Sequence, residues 1–288
     1  MRRGLATLAL LVLAACRPPS EPANPALWRV DGPNGERAWL FGTIHTLARP
    51  VAWRTAKVDA GLRASDRVMV EIAALDDDAA LERTFAGLAR TPGLPPLSAR
   101  VPADERPALA KVLAEAGLKD DGFGETETWA AALMLASATE GQAGAHPEWG
   151  VDRAVVAAAQ GKKIEEFEGA ARQLAIFDRL PEPAQRRLLA AAVAGAATAP
   201  GDAAALAAAW RRGDIARIGQ ETTRGMLADP LLREALYAGR NRVWLARIEA
   251  TMRDGGRPFV AVGTAHLAGP DGLPKLLVQR GYAVTRLE

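Results

Sequence analysis

Two segments near opposite ends of the chain share one pattern, Gly42-Thr43-Ile44-His45 and Gly263-Thr264-Ala265-His266. Each follows a short apolar run and sets a histidine two residues past the threonine. Two glutamates end two further short runs: Glu71 after Arg67-Val-Met-Val, and Glu168 after Lys162-Lys-Ile-Glu-Glu-Phe and before Gly169. Two imidazoles with one or two carboxylates suit a divalent transition metal in a nitrogen and oxygen site that keeps positions open for water and substrate. Such a metal lowers the pKa of bound water and polarises a carbonyl, which amide hydrolysis at neutral pH requires. A further carboxylate, Glu71 or Glu168, serves as general base. Arg240 faces a developing oxyanion if its helix end reaches the site.

These residues need elements that bring them together. The apolar runs read as buried strands, and a glycine right after each lets the backbone turn or approach closely, so the histidine leaves the strand's carboxyl end and points into a crevice. Trp28-Arg-Val and Arg37-Ala-Trp-Leu-Phe flank the turn-rich Asp31-Gly-Pro-Asn-Gly-Glu36, a hairpin whose second strand delivers His45. A helix over Ala52 to Ala64 then leads to the strand ending at Glu71, which runs parallel to the His45 strand and emerges on the same edge. Asp76 to Gln142 is helical and alanine-rich, broken at Thr91 to Pro96 and Asp120 to Gly124. Gly141 to Gly150 reads as a loop carrying His146, assigned to solvent, and a helix follows to Gln160. Strand Lys162 to Glu168 echoes the Glu71 strand. After the helices of Pro181 to Ala250, strand Phe259 to Val262 delivers His266, and Tyr282 to Leu287 closes the chain. The expectation is an α/β fold with a mainly parallel or mixed sheet, in two related halves with an alanine-rich helical middle.

Composition excludes several alternatives. The formal charge of +2 is small and the basic residues are scattered, so nucleic acid is not an expected partner. The chain has no Gly-x-Ser-x-Gly elbow, no His-Glu-x-x-His helix and no phosphate loop. Met1 to Ala15 carries two arginines and an apolar stretch too short to span a bilayer, an export signal. Leu13-Ala-Ala-Cys16 resembles the lipobox of bacterial lipoproteins, implying cleavage before the only cysteine and lipidation of Cys16. Residues 16–26 are then a tether and 27–288 one domain, facing the periplasm from the cell envelope, in the outer membrane, with the lipid as its only membrane contact.

The sequence resembles the TraB/GumN family, related to the Tiki metalloproteases and the pheromone-shutdown protein. The matching residues are Gly42-Thr-Ile-His45, Glu71, Gly150-Val-Asp152, Gly161-Lys162 with Glu168 and Gln173, Arg240-Asn241, Gly263-Thr-Ala-His266-Leu-Ala-Gly269 and Gly281-Tyr-Ala-Val. The resemblance covers Trp28 to the end and implies a fold of the erythromycin-esterase and ChaN-like group. It implies His45 and His266 as metal ligands and Glu71 as ligand or base. Glu168, Arg240 and Asn241, with Gly42, Thr43, Gly263 and Thr264, are further site candidates. The implied activity is peptide or protein hydrolysis with manganese, cobalt or zinc. The competing expectation is a non-catalytic lipoprotein that binds a peptide, metal or haem.

Overall fold

The computed structural model describes residues 20–159 and 161–288. The expected signal peptide and Cys16 lie outside the described residues. The strands are β1 (Glu21–Pro22), β2 (Leu27–Asp31), β3 (Arg37–Thr43), β4 (Val51–Ala52), β5 (Arg67–Val70), β6 (Lys163–Glu166), β7 (Pro258–Gly263) and β8 (Ala283–Arg286). Six of them make one sheet in the order β6-β5-β7-β3-β2-β8, and β1 pairs with β4 apart from it. Strands β6, β5, β7 and β3 run parallel; β2 is antiparallel to both of its neighbours, β3 and β8.

Burial follows position in this order. All six residues of β7 are buried, as a strand covered on both faces requires, and its sequence is accordingly an unbroken apolar run. The edge strands β6 and β8 are half-buried to exposed and carry Lys163, Glu165 and Arg286, charges that discourage pairing with another sheet.

The helices are α1 (Ala56–Ala64), α2 (Asp78–Leu88), α3 (Arg106–Glu115), α4 (Thr128–Gln142), α5 (Val151–Ala158) and α6 (Ala170–Asp178), then α7 (Glu182–Ala196), α8 (Ala199–Arg211), α9 (Ile215–Glu221), α10 (Pro230–Arg233), α11 (Gly239–Arg253) and α12 (Leu273–Gln279). Alternation along the strands sends Trp39, Phe41 and Phe259 to one face, under Val58 of α1 and Val155 of α5. Leu40, Val260 and Val262 go to the other, under Ile248 of α11 and Leu277 of α12. A third core, built around Trp129, Leu109 and Leu188, holds the helical middle together.

The expected mixed α/β architecture is present, and the two Gly-Thr-x-His strands, β3 and β7, are neighbours. The halves interleave, because β5 lies between β6 and β7. One expectation needs correction: Glu21 to Ala26 is not free tether. Glu21 and Pro22 pair with Val51 and Ala52, the Asn24 amide donates to the Arg211 carbonyl, and Ala26 is fully buried. Backbone pairing and apolar burial outweigh the proline-rich composition there. Among the described residues no single helix is long and apolar enough to cross a membrane.

Candidate active site

The four parallel strands end along one edge, in the spatial order Glu168, Glu71, His266, His45. Parallel pairing of Thr43 with Gly263 sets the two motif copies level with each other. Trp210 Nε1 donates to the Gly42 carbonyl at 2.9 Å, and Thr264 Oγ1 donates to the Thr43 carbonyl at 2.8 Å. Gly42 has no room for a side chain, since a Cβ would lie 2.5 Å from Thr264 Oγ1. At Gly263 a Cβ would sit 3.3 Å from Glu71 Oε1 and 3.5 Å from His45 Nε2, so these two groups flank that glycine.

Arg240 is the hub. It follows a π-helical turn, Glu234 to Ala238, that precedes α11, a distortion often found at functional sites. Nε donates to Glu168 at 2.9 Å, and Nη2 donates to Glu168 and Glu71 at 2.7 Å each. Nη1 donates to the Leu236 carbonyl and to His266 Nε2 at 3.2 Å each. A guanidinium has five N–H groups, and these contacts use all five. Arg240 therefore clamps the cluster and has no donor left over for an oxyanion, which corrects the expected role. Glu168 also accepts from Trp244 Nε1 at 3.0 Å, and the guanidinium lies over the Trp244 ring.

His266 is buried, and its protonation is legible from its partners. Asn241 Nδ2 donates to the carbonyls of His266 and Asp271 at 3.2 and 2.7 Å, which leaves its Oδ1 to accept from His266 Nδ1 at 2.6 Å. Nε2 then carries the lone pair that Arg240 faces. Burial, joined by the nearby positive charges and opposed by Glu71, pushes the His266 pKa down to about 3. For Glu71, burial favours the neutral acid. The positive charges of His266 when protonated, Arg240 and His45, with the Gly263 amide bonded at 2.8 Å, overcome it and hold the pKa at about 2.

His45 is the opposite case. Its side chain is 67% exposed, and Nδ1 donates to Asp152 Oδ2 at 2.9 Å. Thr43 Oγ1 donates to the other oxygen of the same carboxylate. Asp152 pushes the His45 pKa up against the opposing effect of desolvation, and Glu71 adds to the rise. Solvent at the open face screens this pair, while the direction leaves a proton on Nε2 at neutral pH. Asp152 was not among the residues expected to act. Its only sequence signal was its place in Gly150-Val-Asp152, where α5 begins. Gly150 passes too close to the His45 carbonyl to carry a side chain, and the Val151 amide donates to Ile44 at 2.9 Å, so the helix start is docked beside the histidine. His146 stays apart, on Glu148 at 3.0 Å and against the Trp149 ring.

His45, Glu71, Asp152, Arg153 and Gln173 line one cleft of about 250 Å³ with Ile72 and Leu75. Arg240 and Glu168 border a different depression, beside α11. A divalent ion does not fit this arrangement. Among the described residues no three His, Cys, Asp or Glu side chains converge on one position. The reason is visible in the donors: the one lone pair of His266 and one Glu71 oxygen are turned onto Arg240, and the other Glu71 oxygen accepts from Gly263.

The fold and site thus define a mixed α/β protein with a histidine, glutamate and arginine cluster at the carboxyl edge of its parallel strands. The chain belongs to the TraB/PrgY/gumN family, whose profile matches residues 26–286. It is similar to the uncharacterized protein YbaP of Shigella flexneri and to that of Escherichia coli (strain K12). Each is 26% identical over 260 residues, covering 85% of this chain and 89% of the relative. No solved structure matches it significantly.

Proposed function

We propose that the protein is a hydrolase of the cell envelope, anchored through a lipid on Cys16, that cuts peptides or exposed protein termini. The observation that carries this reading is the pair His45 and Glu71, set together beside Gly263, lining one cleft and held in opposite charge states. Paired groups whose pKa values are driven apart are the mark of an acid and a base. Glu71, whose oxygens each keep a second lone pair beside the Arg240 and Gly263 contacts, takes a proton from water as the water oxygen adds to the carbonyl carbon. His45, steadied by Asp152, gives its Nε2 proton to the departing nitrogen, and the C–N bond breaks to an acid and an amine. Arg240 acts through Glu71 and Glu168 as a positioning residue.

A second reading keeps the expected manganese, cobalt or zinc. Glu71 and His266 Nε2 share Arg240, and His45 Nε2 lies with Glu71 beside Gly263, which favours it, and it requires Arg240 to release His266 and Glu71. Full-length protein in detergent, assayed with a quenched peptide library before and after chelation, with metal content measured, separates the two. Metal-free protein that still cuts, with His45→Ala and Glu71→Gln each lowering kcat/KM by at least about 10²-fold, is the expected result. Activity that needs the metal moves the assignment to the second reading. Peptide binding with no turnover by any preparation replaces both with a sequestering lipoprotein.

A further inference from the structure

Beside the cleft runs a larger groove of about 650 Å³ between α2, α4 and α6, walled by Leu81, Phe85, Leu133, Leu174 and Phe177. Neither α2 nor α6 buries a single residue completely, although both carry large apolar side chains and face each other here. A helix of this kind normally buries its apolar stripe. Ile72 and Gln173 line both the groove and the His45 and Glu71 cleft, so the two spaces adjoin at these side chains. At that junction the Gln173 side-chain oxygen is shut off from solvent and has no hydrogen-bond partner among the described residues. A buried acceptor left unpaired is costly, and such exceptions call for a missing partner.

We infer that this groove is the specificity pocket of the hydrolase proposed above, built for a peptide with a large apolar residue next to the bond that is cut. The aliphatic and aromatic walls take that side chain. Gln173, on turning toward the groove, offers Oε1 to the backbone N–H of the same residue, a donor that a fatty ester lacks. Asp78 and Glu82 on the groove lining oppose an anionic headgroup, so an acyl lipid is the poorer fit. This inference rests on the hydrolase reading for the position of the scissile bond, and on the groove alone for its preference.

The test uses full-length Glu71→Gln protein in detergent, which separates binding from turnover. Fluorescence anisotropy is read with three labelled peptides and a labelled octanoyl ester. One is an alanine hexapeptide with phenylalanine at its third position, one replaces that phenylalanine by aspartate, and one is the phenylalanine peptide with an ester in place of that residue's amide. The phenylalanine peptide is expected to bind at least tenfold more tightly than the aspartate peptide. Phe85→Ser or Leu174→Gln should remove most of this preference, with thermal melting confirming that each variant is folded. The ester peptide is expected to bind about tenfold more weakly to protein that retains Gln173, and Gln173→Leu should erase that difference. Equal affinity for the phenylalanine and aspartate peptides, a preference that survives both groove variants, or an ester penalty that persists in Gln173→Leu overturns the inference. A labelled octanoyl ester that binds more tightly than the phenylalanine peptide overturns it as well. Selective binding without cleavage by the wild type leaves the groove assignment standing and removes the hydrolase; cleavage indifferent to the apolar residue does the reverse.

Discussion

The two Gly-Thr-x-His segments carry the same letters and end in opposite electrostatic states. His45 stands 67% exposed against a carboxylate and is driven toward its charged form, whereas His266 is buried against an amide oxygen and a guanidinium and is held neutral. Strand, glycine and pairing register are shared, so the motif decides where each imidazole stands. The protonation state comes from what packs against it: Asp152 from α5 in one case, Asn241 and Arg240 from α11 in the other. A repeated motif is therefore a statement about placement, and it leaves chemistry to the neighbours.

The sharpest way to break the contrast is at its hub. Arg240→Ala strips the shared cation from buried Glu71 and part-buried Glu168 and is expected to cost about 3–5 kcal/mol in chemical denaturation. His266→Ala leaves Asn241 Oδ1 and one Arg240 N–H without partners and opens a cavity, for a loss of about 2–4 kcal/mol. His45→Ala, on the exposed side, should cost no more than about 1 kcal/mol while activity falls. If the two histidine variants lose equal stability, the contrast fails. Gly42→Ala drives a methyl into Thr264 and is expected to cost about 1–3 kcal/mol, part of which returns when Thr264→Ala is added.

Titration sharpens the same comparison with smaller effects. His266 has a folded pKa below its unfolded value of 6.5, so the unfolded chain takes up a proton first and stability falls as pH drops from 6.5 toward 3. Glu71 joins only below its unfolded value of 4.5, which leaves pH 6.5 to 4.5 as the window that reports His266. For His45 the folded pKa is the higher one, so its contribution is complete below 6.5 and is lost as pH rises through the folded pKa. Denaturation midpoints measured across both windows should slope in opposite senses, and His266→Ala and His45→Ala should each flatten one slope alone. The alkaline limb of kcat/KM follows the same proton. Asp152→Asn should move that limb to lower pH, and an unmoved limb removes His45 as the acid.

Much of this was readable along the chain. An apolar run followed by Gly-Thr marks β3 and β7, and the runs ending in Glu71 and Glu168 mark β5 and β6, because strand burial and the need for glycine at a close approach are local requirements. The tether was misread at Glu21 to Ala26 because proline-rich composition describes a free chain, and that segment is paired. Asp152 was overlooked because a lone acid at a helix start has many ordinary uses. Only its 107-residue reach to His45 gives it meaning.

By itself the amino-acid sequence determined the α/β class, the two matching strand ends, the carboxylates at two more and the family. Folding in three dimensions decided which strands adjoin, that a fully bonded guanidinium sits where a metal was expected, and which of the two imidazoles keeps an open nitrogen. The physical reason is reach: local pattern governs burial and turn geometry within a few residues. Charge state and donor accounting depend on contacts between groups 25 to 169 positions apart, which sheet order and helix packing create.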